Sequence, residues 1–120
     1  MKKILIVDDN RAMLRLYQFH FRQKGWEGLF LSAAPTAFKA LEETRPTLAI
    51  LDYDLQGMLG TEIYEALRRN DPDHAIPVIF ITGQIHAGIK KELRDLPGAT
   101  VLNKPFSPVR LVREIEVLLG

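Results

Sequence analysis

The sequence predicts an α/β protein: a doubly wound, five-stranded parallel sheet with helices on both faces. Three observations lead there. The runs Ile4-Leu5-Ile6-Val7, Leu48-Ala49-Ile50-Leu51 and Val78-Ile79-Phe80-Ile81 have no polar alternation, as in strands buried on both faces of a parallel sheet. Segments of helical period separate the strands, which is the alternation of a parallel sheet with right-handed crossovers. The runs also lead into Asp8-Asp9, Asp52 and Thr82, and in open parallel sheets ligands bind beyond the carboxyl ends of the strands.

The elements follow in order. Lys3 to Val7 reads as the first, central strand. Asn10 to Lys24 reads as a helix with Met13, Leu16, Tyr17, His20 and Phe21 on its inward face, stopped by Gly25. Glu27 to Ala33 is a second strand, less purely apolar and so expected at an edge. A helix opens at Ala34-Pro35-Thr36 and runs to about Arg45, with Ala37, Phe38 and Leu41 inward, and Pro46 ends it. The strand ending in Asp52 is third, and Gly57 and Gly60 read as loop punctuation after it. Thr61 to Asn70 is a helix with Ile63, Tyr64 and Leu67 inward, broken by Asp71-Pro72-Asp73. Ile76 to Thr82 is the fourth strand, its Pro77 near the start where a missing N–H is tolerated. A short helix spans about His86 to Leu96, Pro97-Gly98 turns the chain, and Ala99 to Asn103 is the fifth strand. Ser107 caps the last helix with Pro108 at its first position. That helix carries Val109, Leu111, Val112, Ile115, Leu118 and Leu119, a wide apolar face. A common doubly wound order, 2-1-3-4-5, places the first strand between the second and third.

At 120 residues and 47% hydrophobic content, residues 1–120 make one domain with a real core. A formal net charge of +1 gives no strong pull toward nucleic acid or a membrane surface. The absence of cysteine excludes disulfides, thiol catalysis and thiolate metal sites. The apolar stretch after Lys2-Lys3 is too short for a signal peptide, and no run reaches transmembrane length, so a cytoplasmic location is expected.

The chemistry lies in what ends each strand: Asp8-Asp9, Asp52, Thr82 and, after the fifth, Lys104. All would share one edge of one sheet. Crowded carboxylates raise one another's pKa unless a cation compensates. A hard cation such as Mg²⁺, held by one or two carboxylates with phosphate oxygens, does so. With a lysine and a hydroxyl beside them, these are the parts for moving a phosphoryl group onto Asp52. Taken singly, Asp8-Asp9 could cap the first helix, Asp52 could be a loop-entry residue, Thr82 a strand former and Lys104 a surface lysine. Their joint placement carries the reading. His20, His74 and His86 show no ligand spacing and receive no role.

These residues carry a resemblance. The whole chain resembles the receiver domain of two-component response regulators, of the chemotaxis-regulator-like kind with a flavodoxin-like sheet. The matching stretches are Ile4-Leu5-Ile6-Val7-Asp8-Asp9-Asn10, Leu51-Asp52 with Gly57-Met58 and Gly60, Phe80-Ile81-Thr82-Gly83, and Lys104-Pro105-Phe106. The resemblance implies that Asp52 accepts phosphate from a histidine kinase or a histidine phosphotransfer protein. It implies that Asp9 and Asp52 bind Mg²⁺, with Asp8 helping through water and the Asp54 main-chain carbonyl completing the site. Thr82 and Lys104 would contact the phosphoryl group, and the small Gly83 would keep the acceptor accessible. Asp54 and Gln84 would flank the path of the water that hydrolyses the phosphoaspartate. Two positions depart from the family pattern. Gln56 replaces a usual proline, and Val101 replaces the aromatic residue that normally turns inward as the threonine moves, which puts the usual switch in doubt.

Two other readings stand beside this one. Asp52-Tyr53-Asp54 and Ile81-Thr82 look like motifs of haloacid-dehalogenase-like phosphohydrolases, but the order of nucleophile and acidic strands is reversed and no cap is present. A receiver-like binding module that no longer uses phosphate is the third. No output domain follows Gly120, so the chain stands alone or is cut from a longer regulator. Output is then expected through contacts with a downstream protein target or an output domain. Val109, Val112 and Leu119 are expected to cover the sheet. If they are not buried, they offer a homodimer patch.

Overall fold

The computed structural model describes residues 3–55, 57–83 and 86–120. The expectations for Gln56 and Gln84 lie outside the described residues. In chain order the elements are β1 (Lys3–Val7), α1 (Arg11–Lys24), β2 (Glu27–Leu31), α2 (Ala34–Glu43), β3 (Leu48–Asp52), β4 (Asp54–Leu55), β5 (Met58–Leu59), α3 (Gly60–Arg69), β6 (Val78–Thr82), α4 (Ala87–Asp95), β7 (Ala99–Asn103) and α5 (Pro108–Leu119).

The five long strands form one parallel sheet in the order β2-β1-β3-β6-β7. Counting only those strands, this is the expected 2-1-3-4-5. The half-buried β2 lies at an edge, as its mixed composition predicts. The strands alternate their side chains between two cores, because successive Cβ atoms point to opposite faces. Leu5, Val7, Ala49, Leu51, Val78 and Phe80 meet α2, α3 and α4. Ile4, Ile6, Leu48, Ile50, Ile79, Ile81 and Leu102 meet α1 and α5. Both faces are dry, which is why the sequence shows continuous apolar runs there.

The helices begin and end where their caps dictate. Asn10 Oδ1 accepts from Ala12 N (3.1 Å) and Met13 N (3.2 Å) at the start of α1. Asn10 is therefore the N-cap, and Asp8 and Asp9 are left for other work. Gly25 ends α1 at φ 72°, the left-handed conformation that favours glycine. Ser107 Oγ accepts from Arg110 N (3.2 Å) at the start of α5, as expected.

The structure corrects several expectations. Leu14, Tyr17 and Phe21 are the buried residues of α1, while Leu16 is 37% exposed. The helix is turned so that Leu16 and Phe19 form a second, exposed stripe. The segment after β3 is not simple loop, since β4 and β5 pair as a two-residue antiparallel hairpin. Gly60 is the first residue of α3 rather than loop punctuation. On α5, only Leu111 and Ile115 are fully buried; Leu119 is half-buried against the sheet core as expected, whereas Val109 is exposed and Val112 only half-buried. Val101 is half-buried, opposite Phe80 in register, on the face that α4 covers.

Candidate functional site

The site lies where strand ends converge. β1 and β3 are neighbours, so Asp8 and Asp9 emerge beside Asp52. One carboxylate oxygen from each of Asp8, Asp9 and Asp52 lies within 4.8 Å of the others. β6 and β7 bring Thr82 and Lys104 to the same edge. The backbone continues the ladder past the strand ends: Tyr53 N donates to Ile81 O (2.8 Å) and Lys104 N donates to Thr82 O (2.8 Å). These bonds fix the end of β3 that carries Asp52 and the start of the loop that carries Lys104. Lys104 Nζ then donates to Asp52 Oδ2 at 3.3 Å. The Lys104-Pro105 peptide is cis.

Burial is uneven. Asp8 is 1% exposed, Asp52 4% and Thr82 0%, while Asp9 is exposed. Asp8 Oδ1 accepts from Asn10 N (2.9 Å), but Asp8 Oδ2 is buried with no hydrogen-bond partner among the described residues. Burial pushes the Asp52 carboxyl up from the ordinary 3.8 to about 6. The Asp8 and Asp9 charges add to the rise and Lys104 opposes it. Burial likewise raises Asp8, against its bond from Asn10 and the charge of Lys104. One lysine does not neutralise three carboxylates. An orphaned buried oxygen beside two further oxygen donors suits a hard divalent cation, so these residues fit Mg²⁺.

The sequence reading brought Asp8, Asp9, Asp52, Thr82 and Lys104 to one edge, and the structure places all five there. Asp54 sits on β4 with its side chain exposed. Beside Gly83 a side chain would meet open space. One contributor was missed. Gly60 packs so close to β3 that a Cβ on it would overlap the Asp52 carbonyl oxygen, and its N–H donates to Tyr53 O (2.8 Å).

Comparison with known proteins agrees with this geometry. Residues 4–116 match the family described as "Response regulator receiver domain". The chain is 28% identical over 119 residues to the polar-differentiation response regulator DivK of Brucella anthropi, covering 99% of this chain and 97% of that protein. It is 29% identical over 118 residues to the phosphate regulon transcriptional regulatory protein PhoB of Pseudomonas aeruginosa, covering 98% of this chain but only 52% of that protein. A CheY-like receiver domain from Methanospirillum hungatei superposes with a TM-score of 0.87 at 28% identity, over 99% of this chain and 94% of that one. With its sheet order, its acidic strand ends and this match over nearly its whole length, the chain belongs to the receiver domain family of two-component response regulators.

Proposed function

We propose that this receiver domain takes a phosphoryl group from a phosphohistidine onto Asp52 and signals through the change in protein contacts that follows. Phosphorylation on an aspartate is typical of the family. The observation that carries the assignment to Asp52 is its setting. It is buried, paired with Lys104 at 3.3 Å, and clustered with Asp8 and Asp9 at adjoining strand ends.

An Asp52 carboxylate oxygen attacks phosphorus. The new O–P bond forms as the N–P bond to the donor imidazole breaks, and the imidazole leaves with the bonding pair and takes up a proton. Lys104 faces Asp52 and balances negative charge on the transferring group, and the Thr82 hydroxyl donates to a phosphoryl oxygen. Bound Mg²⁺ supplies the positive charge that lets phosphate oxygens approach three carboxylates. Asp9 and Asp52 would hold it directly, Asp8 through water, and the Asp54 main-chain carbonyl would complete the set. Gly83 leaves the approach open. Asp54 flanks the path of the hydrolytic water, so Asp54→Asn changes the decay rate of the phosphorylated form in a timed hydrolysis assay.

The donor is a histidine kinase or a histidine phosphotransfer protein, and the receiver of the signal is a downstream target or an output domain. Val109 at 55% exposure and Val117 at 75% leave α5 with uncovered apolar surface, which favours a protein contact there, a second copy included. Among the described residues, no helix is long and apolar enough to cross a membrane, in keeping with a cytoplasmic role. Family membership sets aside the phosphohydrolase reading. Intact mass after incubation with acetyl phosphate tests the proposal. Wild type gains one phosphoryl group only when Mg²⁺ is present, and Asp52→Asn gains none. Equal labelling of the two proteins would refute it.

A further inference from the structure

Tyr17 lies on the inner face of α1, 1% exposed, and its hydroxyl has no hydrogen-bond partner among the described residues. A tyrosine buried in an aliphatic core without a partner for its hydroxyl is unfavourable. Asp8 Oδ2 is the other buried oxygen in the same condition. Strand parity puts the two on one side of the sheet. Ile4 and Ile6 face the core under α1, and Asp8 continues their row. Ile50 and Asp52 do the same on β3, and Leu102 and Lys104 at β7.

Helix direction brings the tyrosine toward that row. α1 starts just after Asp8, and Tyr17 lies six residues beyond Arg11, about 9 Å down the axis. Helical side chains lean toward the N-terminus, so the ring of Tyr17 reaches back up toward the carboxylates. Its surroundings agree: burial raises the phenol's pKa first, and the charges of Asp8 and then Asp52 raise it further.

We propose that Tyr17 is a positioning residue on the floor of the acidic site, its hydroxyl donating to Asp8 Oδ2 through one enclosed water. Asp8 would then be held from below by the phenol and from the side by Asn10 N–H. Its carboxylate is kept in the orientation that presents an oxygen to the metal's hydration shell. The link to metal rests on the Mg²⁺ reading above, whereas the contact with Asp8 does not. Hydrogen-bond partners behind metal-site carboxylates typically change metal affinity when removed.

Two measurements on the full chain separate the possibilities. In calorimetric titration with Mg²⁺, Tyr17→Phe keeps the ring and loses only the hydroxyl, and it weakens binding about tenfold. In metal-free thermal unfolding, Tyr17→Phe, Asp8→Asn and the double variant are non-additive, because the hydroxyl acts through Asp8. If the hydroxyl is instead an orphan of the core, Tyr17→Phe raises the melting temperature equally in both backgrounds and leaves Mg²⁺ affinity unchanged, which overturns the proposal. Should wild type bind no Mg²⁺, the metal reading falls. The unfolding cycle then decides the contact alone.

Discussion

Asp52 shows how position turns an ordinary carboxyl into a strained one. Removed from water and set beside Asp8 and Asp9, it titrates near 6 despite Lys104. A folded-state pKa above the unfolded 3.8 means that the folded protein binds the extra proton. The stabilisation from that proton is complete below about pH 3.8 and is lost as pH rises through about 6. Metal-free protein at pH 7.5 therefore carries an unrelieved cost of about 1–3 kcal/mol at this residue. We expect metal-free Asp52→Asn to be more stable than wild type at pH 7.5 by about 1–2 kcal/mol in urea unfolding, net of the lost Lys104 pair. The difference shrinks toward pH 4. The shared placement of Asp8, Asp9, Asp52, Thr82 and Lys104 was legible in the sequence because each follows or ends a strand, and parallel strands deliver their ends to one edge. The Tyr17 hydroxyl was not legible. Periodicity marks a tyrosine as inward but says nothing of what its oxygen meets.

At the scale of elements, the opposite end of the sheet is held by a second charged cluster. Arg68, on the last turn of α3, donates to Asp71 Oδ2 (2.6 Å), Ile76 O (2.7 Å) and Pro97 O (2.7 Å), and its guanidinium lies over the Tyr64 ring. The Tyr64 hydroxyl also donates to Pro97 O (2.7 Å). Asp71 accepts from Arg45, Ala75 N and Ile76 N. One buried ion pair thus ties α3, the entry to β6 and the turn between α4 and β7. Gly98 suits that turn, with φ 72° and no Cβ to press on Arg68 Nη2. Burial raises the Asp71 carboxyl, but the bonds from Ile76, Ala75, Arg45 and Arg68 outweigh it, and the pKa lies below 3.8. Its stabilisation is present above the unfolded value and lost as pH falls through the folded one. Asp71→Asn should cost about 2–4 kcal/mol at neutral pH, because a buried arginine loses its counter-charge. It should also flatten the acid limb of stability, as followed by circular dichroism.

Short-range pattern explains which elements were readable. The five strands and five helices stand out by period and length, whereas the β4–β5 hairpin, at two residues a strand, has no period to detect. The phase of α1 was misjudged because Leu14 and Leu16 are both apolar, and only packing chooses between them. Gly60 needed tertiary knowledge: its lack of Cβ matters only because α3 begins against the Asp52 carbonyl. Gly60→Ala must move that backbone or the helix start. We expect a loss of about 1–3 kcal/mol and a several-fold slower phosphorylation by acetyl phosphate, since the carboxylate moves with its carbonyl.

For the whole molecule, the division of labour follows from a parallel sheet. Every strand's carboxyl end lies on one edge, where the acidic cluster and Lys104 gather. The Arg68–Asp71 cluster closes the other edge. Between them, α4 has one fully buried residue, Leu93, and Ala99 and Val101 are half-buried β7 residues on the same face. In the function proposed above, Asp52 is the phosphoacceptor. Borohydride reduction of protein treated with acetyl phosphate and Mg²⁺ converts an aspartyl phosphate to homoserine, and peptide mass mapping locates it. We expect homoserine at position 52 alone. Homoserine at position 8 or 9, or none anywhere while the intact protein gains a phosphoryl mass, would contradict it.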